Sequence, residues 1–136
     1  RVRRAYFTRD GRSADVSRLR QNDVLVVAIT VSTTDRSEVS NVAISDVLPA
    51  GFELENPRLG ATAAGSKFSD GATAVHDDYR DDRMNLYVTA ESKPRTYYYV
   101  VRAVSRGTFV HAPVAADAMY DASMRSYHGG GTVRIQ

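Results

Sequence analysis

The acidic run His76-Asp77-Asp78-Tyr79-Arg80-Asp81-Asp82-Arg83 sets four carboxylates and an imidazole within eight residues, an oxygen-rich set of the kind a calcium ion uses. The alternating ligands, central Gly and closing Glu of an EF-hand loop are missing. The plainer expectation is a solvated acidic connection partly neutralised by Arg80 and Arg83, with no metal. The three histidines, His76, His111 and His128, lie far apart in sequence, and no Ser sits in a Gly-x-Ser-x-Gly elbow. A triad would have to be assembled in space, and no catalytic residue is assigned. Gly129-Gly130-Gly131 lacks the Lys and the strand-to-helix setting of a phosphate loop. It reads as a linker. Tyr97-Tyr98-Tyr99 puts two rings on one strand face and one on the other. A sugar or single-strand platform needs several rings on one exposed face beside polar or basic partners. Core and rim packing explains these three better. Met119-Tyr120, followed by Asp121 and Met124, comes just after a strand, where a thioether beside a phenol either meets a partner surface or fills a gap in the core. Pattern alone favours the core.

These residues have to be positioned by a single domain, since 136 residues leave room for one core. Hydrophobic residues make up 43% and charged residues 25%, the ordinary globular balance. Eighteen Lys plus Arg against 16 Asp plus Glu leaves a net charge of +2 with both signs scattered, so no field for nucleic acid builds up. With no cysteine there is no disulfide, thiolate zinc site or cysteine nucleophile. No run approaches the ~20 apolar residues of a membrane helix, so no direct membrane insertion is expected. Arg1-Val2-Arg3-Arg4 lacks the apolar centre of a signal peptide. The missing initiator Met suggests residues 1–136 are one domain excised from a longer chain.

The positioning elements are strands. Val24–Val31 is a β-branched run, apolar on both faces, and reads as a central strand. Arg83–Ala90 alternates, with Met84, Leu86, Val88 and Ala90 on one face, as a half-buried strand does. Thr96–Val104 is a third long strand, and Arg106-Gly107 suggests a hairpin into Thr108–Val110. Weaker strands are expected at Val2–Thr8, Val39–Val47, Phe52–Arg58, Val114–Met119 and Thr132–Ile135, the last joining a sheet edge. Seven or eight short strands between Gly, Pro and Asp turns point to an all-β, antiparallel two-sheet β-sandwich of fibronectin or immunoglobulin type. The best helix candidate is a short one over Asp15–Gln21 with Asp15 as cap. Gly60–Ala74 reads as a long loop and 127–131 as a flexible hinge.

A resemblance goes further. The chain carries Arg4-Ala5-Tyr6-Phe7 before Asp10-Gly11, the strand entry Arg20–Val27, and Val47-Leu48-Pro49-Ala50-Gly51-Phe52-Glu53-Leu54-Glu55-Asn56-Pro57-Arg58-Leu59. These are followed by Arg80–Arg83, Tyr98–Val104, Gly107–Phe109, Ala112-Pro113 and Ala116-Asp117-Ala118-Met119-Tyr120. In that order, from about residue 4 to about residue 126, they resemble the C-terminal macroglobulin domain of bacterial alpha-2-macroglobulins. The segment 48–59 is its most specific part. The resemblance implies a non-enzymatic, cofactor-free module of a periplasmic protease trap, and leaves open whether the parent carries a lipid anchor. The module packs on the thioester domain of the same chain and shields the thioester until a bait region is cut; trapped proteases are partners of the parent only. By position, the shielding segment is Ala116–Tyr120, which makes Asp117, Met119 and Tyr120 the expected interface with the thioester domain. A different expectation is a spacer or adhesion module, because Asp46–Phe52 is also similar to segments of immunoglobulin-like bacterial surface repeats.

Overall fold

The structure, a computed structural model, describes residues 1–34, 38–55, 76–80, 82–119 and 125–136. Its strands are β1 (Val2–Thr8), β2 (Val24–Val31), β3 (Val39–Val47), β4 (Phe52–Leu54), β5 (His76–Tyr79), β6 (Arg83–Ala90), β7 (Arg95–Ala103), β8 (Gly107–His111), β9 (Val114–Ala118), β10 (Arg125–His128) and β11 (Gly131–Ile135). They form a four-stranded sheet β1-β2-β7-β4, a five-stranded sheet β10-β9-β3-β6-β5 and a two-stranded sheet β11-β8. All named strand pairs are antiparallel. The expected two-sheet sandwich is therefore present, with a small third sheet added.

Alternation decides which face of each strand is buried. Leu25, Val27, Ile29 and Val31 of β2, with Tyr97, Tyr99, Val101 and Ala103 of β7, face Val42 and Ile44 of β3 and Met84, Leu86, Val88 and Ala90 of β6 across one core. Burying each large aliphatic side chain is worth about 1.5–3 kcal/mol. β2 also buries Val26 on its other face, against Val100 and beside Phe7, Val24 and Tyr98. An unbroken apolar run is what a strand buried on both faces requires.

Four local expectations change. β7 does not make a hairpin with β8: β7 pairs with β2 and β4, whereas β8 pairs with β11. Phe109 of β8 packs against the main core, which explains why the chain leaves the β7 sheet at the Ser105–Gly107 turn. Asp15–Gln21 is not a helix. Asp15 caps one turn, with Oδ1 accepting from Ser17 N–H at 3.0 Å, and buried Leu19 is then drawn alongside Ile135 in a parallel bridge. Tertiary hydrogen bonds, Leu19 N–H to the Arg134 carbonyl and Gln136 N–H to the Leu19 carbonyl, replace the helical ones. His76–Tyr79 is not a connection but an edge strand on β6, and Tyr127-His128 belongs to β10. Beyond Leu54 and Glu55 the expected strand to Arg58 and the loop Gly60–Ala74 lie outside the described residues.

Candidate functional site

One register runs through both the β9–β10 and the β8–β11 ladders: His128 opposes Val114, and Gly131 opposes His111. The strands β8–β9 and β10–β11 are thus two arms of a single long ribbon. It is interrupted only opposite Ala112-Pro113 and Gly129-Gly130, where Pro113 has no N–H to give and both glycines adopt positive φ. The far end of this ribbon, where Asp117 pairs with Arg125 and Met119 follows, carries the expected interface residues that are described.

Met119 ends β9. Its backbone N–H donates to the Asn41 carbonyl at 2.9 Å, which is made possible by a bulge in β3 where Asn41 adopts φ 58°. The side chain is 54% exposed, a large apolar group that the domain's own core does not take in. Asp117, two residues earlier, shares the outward face of β9, its neighbours Ala116 and Ala118 being buried. It stands opposite both Arg125 and Ala43. Its Oδ1 is tucked against the sheet 3.5 Å from Arg125 Nε, an ion-pair distance that makes no hydrogen bond. Tyr120 lies outside the described residues, so the three expected residues are placed as two on one face and one undescribed.

Where the ribbon bends, the structure brings together charged groups that the sequence reading did not single out. Arg4 and Asp46 both fall at inward positions of otherwise apolar alternation, Val2-Arg4-Tyr6 in β1 and Val42-Ile44-Asp46 in β3. A charge in an inward register is the signal that could have exposed them. Arg4 Nη1 donates to Asp46 Oδ1 at 2.5 Å and Nη2 to the Ala112 carbonyl at 2.9 Å, with the Arg4 and Asp46 side chains both almost completely buried. Tyr99 donates its hydroxyl to the other Asp46 oxygen. Burial pushes the Asp46 carboxyl upward, and the Arg4 charge and Tyr99 hydroxyl pull it part of the way back. Burial, and then the Asp46 charge, raises Tyr99 well above the ordinary phenol range, so its proton stays on as donor.

Tyr6 continues the network. Its ring lies 5.8 Å from the Arg4 guanidinium and its hydroxyl is 2.6 Å from His111 Nε2. Burial raises the Tyr6 phenol and lowers the His111 imidazole to about 4, so the phenol donates to a neutral ring. Two of the three histidines thus meet β1, since His128 Nδ1 accepts the Arg4 backbone N–H at 2.9 Å. Among the described residues they form no nucleophilic triad: the hydroxyl that His111 holds is a phenol whose proton is locked in place. Tyr97 and Tyr99 are buried and offer no stacking face.

The class defined here is a two-sheet antiparallel β-sandwich of macroglobulin type, with charged groups sealed inside and an outward thioether at the end of one ribbon. A profile described as the bacterial alpha-2-macroglobulin MG10 domain matches residues 1–122. The chain belongs to this family. An alpha-2-macroglobulin from Pasteurella multocida is 32% identical over 137 residues, covering 99% of this chain and 7% of the relative. Escherichia coli alpha-2-macroglobulin activated by porcine elastase superposes with a TM-score of 0.90 at 26% identity, covering 100% of this chain and 13% of that one. The native E. coli protein spanning domain MG7 to the C-terminus gives a TM-score of 0.86 at 27% identity, covering 100% and 23%. The chain therefore spans less than a tenth of the P. multocida relative's length. Family membership takes the place of the surface-repeat alternative.

Proposed function

We propose that this module is the C-terminal domain of a periplasmic protease trap, that it catalyses nothing, and that it packs on a thioester domain of the same longer protein. Its task is to keep the thioester covered until a bait region is cut. The position is supported by its MG10 kinship and by its likeness to a fragment that runs from MG7 to the C-terminus. The link to proteases is supported by a structural relative that elastase activates.

The observation that carries the shielding role is Met119. A thioester is an activated acyl group that water or a small amine attacks unless apolar groups occupy the approach. Met119 offers a flexible, polarizable, 54% exposed side chain where the ribbon ends. Asp117 and Arg125 stand beside it on the outward face to meet polar groups at the rim. Tyr120 completes the seal, with a ring to exclude water and a hydroxyl for a polar partner. The absence of cysteine from the module fits a cover rather than the reactive piece.

The test uses the longer protein that carries this module. Labelled methylamine should be taken up slowly before protease treatment and rapidly after it, and cell fractionation should find the protein in the periplasm. Absence of methylamine uptake in either state would contradict the thioester reading.

A further inference from the structure

Among the described residues β1 is the outer strand of its sheet, so alternate backbone groups along its free edge have no strand ladder there. At one end these are taken by backbone: Ala14 N–H donates to the Tyr6 carbonyl and Thr8 N–H to the Arg12 carbonyl. At the other end they are taken by side chains of the opposite sheet's outer strand. Val2 N–H donates to Ser126 Oγ at 3.0 Å and Arg4 N–H to His128 Nδ1 at 2.9 Å. Donors two residues apart on β1 meet acceptors two residues apart on β10, so the match is one of strand period. Next to His128, Gly129 leaves room for Arg4: a Cβ there would stand 2.9 Å from Nη2.

The two arms of the ribbon are held unequally. β9 has a backbone ladder to β3 on one side and to β10 on the other, and its Met119 N–H is fixed by Asn41. Among the described residues β10 has a ladder to β9 alone, and its other edge carries these two side-chain contacts to β1. Met119 is thus anchored by backbone, whereas β10 is anchored on its outer edge by this side-chain latch.

We propose that Ser126 and His128 are positioning residues which, by accepting the edge N–H groups of Val2 and Arg4, hold the outer arm of the ribbon and so fix the β9–β10 end that presents Met119. The inference rests on the shielding reading. It requires His128 to keep Nδ1 free of a proton, with its hydrogen on Nε2.

The experiment uses the full longer protein with four changes: Ser126→Ala combined with His128→Ala, and His128→Ala, His128→Gln and His128→Asn singly. Asn places an oxygen where Nδ1 sits, whereas Gln places it one bond further out. Amide exchange at Val2, Arg4 and residues 119–128 is followed together with the rate of methylamine inactivation before bait cleavage. Losing the hydrogen bonds should speed exchange by about tenfold in the Ala and Gln proteins, with methylamine inactivation several-fold faster, and Asn should restore both. If the double variant fails to fold, the Gln and Asn pair decides alone. Unchanged exchange, or Asn no better than Ala, would overturn the latch while leaving the shielding reading intact. Faster exchange with an unchanged methylamine rate would overturn the role given to Ser126 and His128 in fixing that end, while the shielding reading is decided by replacing Met119 and Tyr120 themselves.

Discussion

Removing either charge of the Arg4–Asp46 pair would leave the other out of water without compensation. Arg4→Met or Asp46→Leu alone should therefore cost about 3–5 kcal/mol, whereas the double replacement should cost clearly less than the sum. Urea unfolding of the four proteins checks this, and additive losses would mean that the pair is not coupled. His111 gives a second handle. Its folded value of about 4 lies below the ordinary 6.5, so between these values the unfolded chain binds a proton that the native chain refuses. Its contribution is full above pH 6.5 and is lost as the pH falls towards 4. Asp46, whose folded value is raised, works in the opposite sense in the acid range, so the comparison has to be made against a variant. His111→Gln keeps an acceptor for Tyr6 but cannot titrate. The wild-type melting temperature should fall more steeply than the variant's between pH 6.5 and pH 4, and parallel profiles would contradict a buried neutral imidazole. Neither charge was conspicuous in the sequence, because a lone Arg and a lone Asp declare themselves only once the inward register of two separate strands is known.

Elements were legible where alternation was strong. β1, β2, β3 and β6 have the expected bounds, since each has enough inward apolar residues to fix its register. Short strands without that signal were hidden. β10 has no inward aliphatic residue, and β5 pairs with only Met84–Tyr87 of the longer β6 edge. The hairpin and helix expectations failed for one shared reason: local turn and capping signals were outcompeted by the burial of Phe109 and Leu19 against strands far away in sequence. Gly51 shows how tightly these late elements close. A Cβ there would collide with the Phe109 ring and stand 2.8 Å from Ile135 Cδ1, while the Gly51 carbonyl accepts from Val104 and Ser105 N–H. Gly51→Ala should cost about 1–3 kcal/mol through overpacking. Thermal unfolding is the check, and a neutral result would mean that the β8–β11 sheet yields easily.

At the scale of the whole molecule the family was legible in the order of its motifs, above all the segment Leu48–Leu59, while composition alone reached no further than a β-domain. Whether Met119 belonged to core or surface could not be read from Ala116-Asp117-Ala118-Met119-Tyr120, because the answer depends on how the ribbon ends against the β3 bulge. Exposed at that end, Met119 adds little to the domain's own stability, whereas truncating a buried Met would cost about 2–5 kcal/mol. The central claim, that this end of the ribbon covers a thioester, is tested most directly by replacing Met119 and Tyr120 together with Gly in the longer protein and timing methylamine inactivation before any bait cleavage. Inactivation several-fold faster than wild type, with the domain's melting temperature nearly unchanged, is the predicted result. An unchanged rate of inactivation in a folded double variant would contradict the account.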